Sequence, residues 1–417
     1  MTEQERLDKN NNIKQSMKAT LEKRSKQTCF VYKVKIDYSA LSAKQKEQLK
    51  MLFVEAKWIY NSVLSYSKDN NIATYDTKSK FVNVMNKDGD IELRELNFIG
   101  SQMKQSVLAD ILANLKGLKV LKEHNHKIGW LKYTSEYKSL NLKQYGNTYK
   151  IINSNKMRIQ GVSGKVKVNG LKQFIDTPNI DIANAKLLNT PTGYYVAITV
   201  FKYNDDIVAR PYIGNEIGID MGIKDAITLS NGEKFSATIG ETERLKRLQR
   251  KLARQKKGSN NRWKTRLLIK KECQKITNRK NDAANKVVAH ILSFEHVYMQ
   301  DEQISGWHKG LFGKQVQHSI LGRVKARLIN HPRVEVLDRW APTTKWCPKC
   351  GNKNTDITLA DRMFKCPHCG HTNDRDIHSA QNMITMIKTL KLRTEHTEFK
   401  PVESMKLVDA EAGRLHH

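Results

Sequence analysis

The chain contains six cysteines, four of which fall into two Cys-x-x-Cys pairs near the C-terminus. Trp346-Cys347-Pro348-Lys349-Cys350-Gly351 and Lys365-Cys366-Pro367-His368-Cys369-Gly370 are near copies of each other. The gap between them is that of a tetrahedral Cys₄ zinc site, to which each knuckle offers two thiolates. A redox pair is the competing use of Cys-x-x-Cys; the duplicated knuckle, with glycine after each second cysteine, favours metal. Four thiolates leave no open coordination position, so one zinc held by Cys347, Cys350, Cys366 and Cys369 is expected to be structural. His368 and His371 would ligate only if a cysteine were displaced, and Cys29 and Cys273 stand alone.

Three acids stand in sequence contexts where acids are costly. Ile217-Gly218-Ile219-Asp220-Met221-Gly222-Ile223-Lys224-Asp225 reads as a buried apolar strand with Asp220 at its middle. A carboxylate there either pairs with a base or binds a cation, and Gly218 and Gly222 are expected to give backbone room for metal and phosphate to approach. A second strand, Val297-Tyr298-Met299-Gln300-Asp301-Glu302, ends in acids. By the two-residue period Tyr298, Gln300 and Glu302 share a face, which makes Glu302 the expected second ligand. Asp376 is expected to open a final helix carrying Ile377, Ala380, Met383 and Ile384 on its apolar side. An acid at a helix start is also favoured by the helix dipole, so three structural acids is the plain alternative. As a set, Asp220, Glu302 and Asp376 suit two Mg²⁺ ions about 4 Å apart, since hard cations take oxygens from several carboxylates. Acids so far apart in the chain must then converge.

Charge narrows the partner. Lys and Arg number 73 against 42 Asp and Glu, a formal net charge of +31. A polyanion is the simplest account of such an excess, ahead of solubility alone. The bases concentrate from Arg244 to Lys280, including Arg244, Lys246, Arg247, Arg250, Lys251, Arg254, Lys256, Lys257, Arg262 and Lys264, with few acids to offset them. Gly258-Ser259-Asn260-Asn261 breaks the run, so two antiparallel basic helices are predicted, packed through Leu245, Leu248, Leu252, Leu267, Leu268 and Ile276. Trp263 suits either a core anchor or a base-stacking platform.

The elements that must position these groups follow from periodicity. Residues 1–27 read as a mobile or partly helical basic arm. Phe30 to Ile36 alternates like a strand, and Ser42 precedes a helix with Leu49, Leu52, Phe53, Ala56, Ile59 and Val63 on one face. A second helix is predicted over about Ser101–Leu121, so the pair looks like an insertion between strands. Short β segments follow at 149–152, 164–168 and 194–200, which suggests a small barrel completed by the first strand. After Asn215 the signals become α/β, with a Ser230-Asn231-Gly232 hairpin turn. No apolar run approaches the roughly 20 residues that cross a bilayer, and the N-terminus lacks a signal-peptide core, so a soluble, cytoplasmic protein with no membrane partner is expected.

Taken in order, the Gly-Ile-Asp-x-Gly strand, the basic helical pair, the acidic strand end, the zinc knuckles and Asp374-Arg375-Asp376 resemble the insertion-sequence-encoded TnpB family and its miniature type V CRISPR Cas relatives. The resemblance is specific from about Asn215 to Ile384 and covers the rest in layout. It implies an α/β multidomain chain whose RNase H-like RuvC nuclease domain carries an inserted zinc ribbon, preceded by a small wedge-like β-barrel with a helical recognition insert. Boundaries follow: an N-terminal extension, 1–28; the barrel, 29–41 and 136–213; the insert, 42–135; RuvC, 214–341 and 373–392; the ribbon, 342–372; and a tail, 393–417. The resemblance further implies a guide RNA, target DNA next to a short T-rich flanking motif, cleavage by two-metal-ion hydrolysis, and a monomer or homodimer on one RNA. Its three RuvC carboxylates fall on Asp220, Glu302 and Asp376, and Arg375 becomes a phosphate-side helper. Many relatives read Glu-Asp-Leu at the second strand, which would align Gln300 with the acid; an inactive, RNA-guided DNA-binding repressor is therefore the competing reading. A relaxase-type strand transposase would need a His-hydrophobe-His metal pair, which the chain does not contain.

Overall fold

The structure is a computed structural model in which residues 3–395 are described, apart from 87, 176–178, 208–210 and 359. The expected tail therefore lies outside the described residues from 396 onward. The chain forms two compact units that divide between 209 and 210.

The first unit runs through α1 (Glu3–Ser25), β1 (Gln27–Ile36), α2 (Ala43–Tyr66), β2 (Phe81–Met85), β3 (Ile91–Glu95), α3 (Ser101–Glu123), β4 (Ser139–Leu142), β5 (Tyr149–Asn153), β6 (Lys156–Ile159), β7 (Val166–Asn169), the single turn α4 (Lys172–Ile175), β8 (Ile180–Thr190) and β9 (Gly193–Tyr203). The N-terminal arm is a regular 23-residue helix, more ordered than its polarity suggests. Its Glu, Lys, Gln and Arg side chains lose little rotamer freedom in a helix, so propensity carries it without a packed face.

Seven strands form one sheet in the order β4-β8-β9-β1-β7-β6-β5. β1 lies inside it, antiparallel to β9 from Gln27↔Tyr203 to Lys35↔Tyr195. The two outer strands approach each other through a Tyr145↔Tyr149 bridge, and the Gly146 N–H donates to the Tyr149 carbonyl at 2.7 Å. The result is a nearly closed barrel, which leaves little free strand edge. Val196, Ile198 and Val200 alternate into its core beside Val34, Ile36 and Val168. β4, β6 and β8 had no sequence signal. In β8 a register shift between Ile182 and Ala185 breaks the two-residue period that would have revealed it.

α2 and α3 are inserted between β1 and β4. Ser42 and Gln45 close a capping box at the start of α2, whose Leu49, Leu52, Phe53, Ala56, Ile59 and Val63 face the core. The buried Glu55 carboxylate accepts the backbone N–H groups of Asn97, Phe98 and Ile99 and so sets where α3 begins. The insert also holds an antiparallel hairpin, β2–β3, absent from the sequence expectations.

The second unit comprises β10 (Gly214–Met221), β11 (Ile227–Leu229), β12 (Lys234–Phe235), α5 (Glu243–Arg254), α6 (Asn260–Ile291), β13 (Phe294–Gln300), α7 (Ile304–Lys309), α8 (Gly313–His318), α9 (Leu321–Leu328), β14 (Val334–Leu337), β15 (Met363–Lys365), β16 (Thr372–Asp374) and α10 (Arg375–Glu395). Its main sheet has the order β12-β11-β10-β13-β14. β10, β11 and β12 are antiparallel neighbours, whereas β10, β13 and β14 run parallel. Ile217, Ile219, Val297 and Met299 face α6 and α9 through Ala284, Val287, Ile291, Leu321 and Val324. The opposite face meets α10, where Tyr298 and Leu337 pack on Met383 and Ile387. Among the described residues no helix is long and apolar enough to cross a membrane.

Candidate active site and metal centre

Asp220 is the next-to-last residue of β10, and β13 runs parallel to β10 with Ile219 paired to Met299. Both strands therefore deliver their carboxyl ends to one edge of the sheet, at the point where strand order reverses from β11 to β13. Such an edge is where open α/β sheets bind ligands. Asp220 projects on the face covered by α10, and the Ser379 hydroxyl donates to its Oδ1 at 2.9 Å. Burial pushes the Asp220 carboxyl up to about 7; the nearby charges of Asp376 and Glu302 add to the rise, against the Ser379 hydrogen bond and Arg375. Glu302 and Asp376, chosen from sequence for separate reasons, thus both lie close enough to act on Asp220 electrostatically.

Two details differ from the sequence expectations. The Gly218 glycine does not open space for a phosphate. A Cβ there would lie 1.9 Å from the Ala380 carbonyl oxygen, so Gly218 is the place where β10 and α10 pack backbone to backbone. A Cβ on Gly222 would meet the Asp225 carbonyl at 2.8 Å, inside the following turn. Nor does Asp376 itself open α10. The Asp374 Oδ1 accepts the N–H groups of Asp376 at 3.0 Å and Ile377 at 3.2 Å, which makes Asp374 the cap. Against the pull of its burial, the Lys234 hydrogen bond and these two amides hold Asp374 below the usual carboxylate range.

β13 ends at Gln300, and the Glu302 N–H donates back to the Gln300 carbonyl at 2.9 Å. A tight backbone turn, rather than strand pleat, sets the direction of Glu302. Asp301 is neutralised by Lys325 at 2.6 Å and Arg339 at 3.3 Å. Glu302 has no such ion pair among the described residues, and burial raises its carboxyl above the usual range. Gln300 is 5% exposed and fully engaged: its Nε2 donates to the Asp338 carbonyl at 2.9 Å and the Ala341 carbonyl at 3.0 Å. Ser379, Thr343 and Asn382 escaped the sequence reading, as did the capping role of Asp374. Ser379 lies three residues after Asp376 on one helix, and that spacing alone was the available signal.

The four knuckle cysteines converge. Their Sγ atoms all lie within 4.8 Å of one another, with Cys347–Cys369 at 3.6 Å and Cys350–Cys366 at 3.5 Å. Four sulphurs about 2.3 Å from one ion form a tetrahedron with edges of about 3.8 Å, so the cluster fits a metal such as zinc. The Asn352 backbone amide draws the Cys350 thiol below its usual range, while, against the His371 backbone hydrogen bond, burial and the neighbouring thiols hold Cys369 above it. The knuckles flank β15 and β16 and are fastened to α10: His378 stacks on Phe364 at 3.7 Å, and the Asn382 Nδ2 donates to the Thr343 and Trp346 carbonyls at 2.6 and 2.7 Å.

α5 and α6 form the predicted basic pair. α6 is longer than expected and begins at Asn260, capped by Ser259, so the break ends before the two asparagines. Arg247, Arg250, Lys251, Arg254, Lys256, Lys257 and Lys264 are exposed. Lys246 pairs with Glu243, and Arg244 lies 3.9 Å from the buried Glu272. Arg262 instead turns back to α5, where its guanidinium donates to the Leu252 and Gln255 carbonyls and caps that helix. Arg375 bonds the Thr358 carbonyl at 3.1 Å and pairs with Asp376 at 3.6 Å, with 12% of its side chain exposed. Trp263 is 63% exposed, which removes the core-anchor option, and Leu268 also faces outward. The run His124-Asn125-His126 closes α3 with Asn125 in the left-handed region at φ 59°.

Two family models match the chain. OrfB_IS605, described as a probable transposase, matches residues 200–296, and the Cas12f1-like TNB domain matches residues 324–383. These two segments are similar to insertion-sequence and Cas12f1-like proteins. A Streptomyces pristinaespiralis protein that carries the name RNA-guided DNA endonuclease is 30% identical over 190 residues, 43% of this chain and 47% of its own length. InsQ of Escherichia coli, named likewise, is 27% identical over 197 residues, 40% of this chain and 48% of its own length. The match thus spans about half the length of these two curated relatives. A solved Cas12f1–sgRNA–target DNA complex is similar at a TM-score of 0.45 with 13% identity, over 82% of each chain.

Proposed function

We propose that the protein is an RNA-guided DNA endonuclease with a RuvC-type, RNase H-like active site. The observation that carries this reading is the buried Asp220 carboxylate at the carboxyl ends of two adjacent parallel strands, near enough to Glu302 and Asp376 to feel their charge. In this reading the second unit comprises the nuclease domain, 214–341 and 373–392, with the zinc ribbon, 342–372, inserted before its last acid. The barrel and its helical insert would handle RNA and the T-rich motif flanking the target.

Asp220, Glu302 and Asp376 would hold two Mg²⁺ ions, which when bound supply a deprotonated water and stabilise the leaving 3′ oxygen. The protein's own contribution is placement. Lys325 and Arg339 neutralise Asp301 and leave Glu302 as the unpaired acid of that strand end. The Asp374 cap and the Ala380–Gly218 contact hold the first turn of α10, and hence Asp376, against β10. The exposed bases of α5 and α6 would bind the guide RNA backbone, while base pairing reads the target. Cys347, Cys350, Cys366 and Cys369 would hold one structural zinc.

The test is to sequence RNA that co-purifies with the protein and then measure Mg²⁺-dependent cleavage of a matching plasmid library by wild type and Glu302→Gln. The reading expects cleavage by wild type and its loss in the variant, with guided binding kept in both. Guided binding without wild-type cleavage would identify a repressor, and absence of bound RNA would overturn the reading.

A further inference from the structure

A buried hydroxyl chain backs the Asp220 carboxylate, and none of its members is charged. Ser379, Thr343 and Gln300 are 2%, 3% and 5% exposed. Ser379 Oγ lies 2.9 Å from Asp220 Oδ1 and 3.0 Å from Thr343 Oγ1. Thr343 Oγ1 in turn lies 3.3 Å from Gln300 Oε1, and Gln300 is clamped by two backbone carbonyls of the segment that leaves β14. Thr343 also offers its carbonyl to Asn382, one turn beyond Ser379 on α10. The chain therefore joins the end of β13, the segment leading to the ribbon and the helix that carries Asp376.

Resting on the active-site reading above, we infer that Ser379, held by Thr343, is a positioning residue that presets the Asp220 carboxylate for a divalent cation. Ser379 has a single proton to give. Facing an ionised carboxylate, it donates to Oδ1, and the Thr343 hydroxyl is close enough to donate to Ser379 in turn. Asp220 Oδ2 has no hydrogen bond among the described residues, so one oxygen is tied and the other stays open to a cation. A side chain fixed in this way loses less freedom when the cation arrives. Gln300 thereby has a part that an ionised glutamate would fill poorly. Its amide donates to two carbonyls, whereas a carboxylate has no proton to give; the single Thr343 proton goes to Ser379 and not to Gln300 Oε1.

The test uses the full-length protein and Mn²⁺ alone, titrated by calorimetry near about pH 8.5, where carboxylates are ionised. Ser379→Ala is expected to weaken Mn²⁺ binding about tenfold, in line with the loss of a ligand-orienting hydrogen bond. Ser379→Thr keeps the hydroxyl and should stay within about twofold of wild type, while Thr343→Val should weaken binding and Thr343→Ser restore it. Asp220→Asn is the control for the site itself. If Asp220→Asn abolishes Mn²⁺ binding and Ser379→Ala and Thr343→Val leave it unchanged, the positioning role is refuted. If Asp220→Asn has no effect, the active-site reading fails instead. Should Ser379→Ala not fold, the Thr343 pair decides in the same way.

Discussion

At the scale of single residues, neighbouring acids are separated by what surrounds them. Asp301 and Glu302 are adjacent in the chain, yet Lys325 and Arg339 take the first and leave the second unpaired. Sequence spacing pointed to Glu302 through strand alternation, whereas the structure places it by a turn after Gln300. Asp220 yields a pH prediction. Its carboxyl is raised from 3.8 to about 7, chiefly by burial, so between those values the ion-free native protein binds a proton that the unfolded chain has released. Stability without divalent ions should therefore fall as pH rises from about 4 to about 7, and Asp220→Asn should remove that part of the dependence. Urea unfolding in chelator at several pH values measures it; a slope equal in wild type and variant would contradict the raised carboxyl. Mg²⁺, which competes with the same proton, should bind progressively less well below about pH 7.

At the scale of elements, α10 does the joining. It presents Asp376 in its first turn, Ser379 toward Asp220, and His378 and Asn382 toward the zinc ribbon. The cysteine module can hardly build a core of its own, with Cys347, Phe364 and Cys366 as its buried cluster, so a metal held by the four thiolates would supply much of its stability. Cys347→Ser should reduce bound zinc from one per chain toward none and release the Trp346 segment from α10. Metal analysis together with limited proteolysis around residues 343–375 checks this; stoichiometric zinc in the variant would exclude the four-cysteine site. The glycines of the β10 strand were legible as close-approach positions, but not what approaches them. At Gly218 it is the Ala380 carbonyl, because two elements distant in sequence pack backbone to backbone there.

At the scale of the whole molecule, a polyanion is the simplest account of a net charge of +31, and the exposed face of α5 and α6 is the densest part of that charge. Replacing Arg247, Arg250, Lys251 and Arg254 by Gln should lower the magnitude of the slope of log K against log salt for RNA binding by about 3, at roughly 0.7 per lost single-strand phosphate contact. Filter binding at four salt concentrations reads the slope, and an unchanged slope would remove α5 from the RNA surface. Arg262 is left out of that set because it caps α5 rather than facing solvent.

The sequence by itself determined what is local or compositional. The cysteine knuckles, the helices with strong periodicity, the basic pair and the acids in apolar strands were legible because burial cost and coordination chemistry restrict which residue types can occur there. Short and irregular strands such as β8, the β2–β3 hairpin, and the roles of Gly218, Arg262, Thr343 and Ser379 were decided only by tertiary structure. Each of those depends on a contact with a residue far along the chain, and a one-dimensional period carries no record of which partner the fold will bring. The neighbourhood of Asp220 has the same origin: the carboxyl ends of β10 and β13 lie side by side because the strands pair in parallel, and α10 crosses them where Gly218 leaves room.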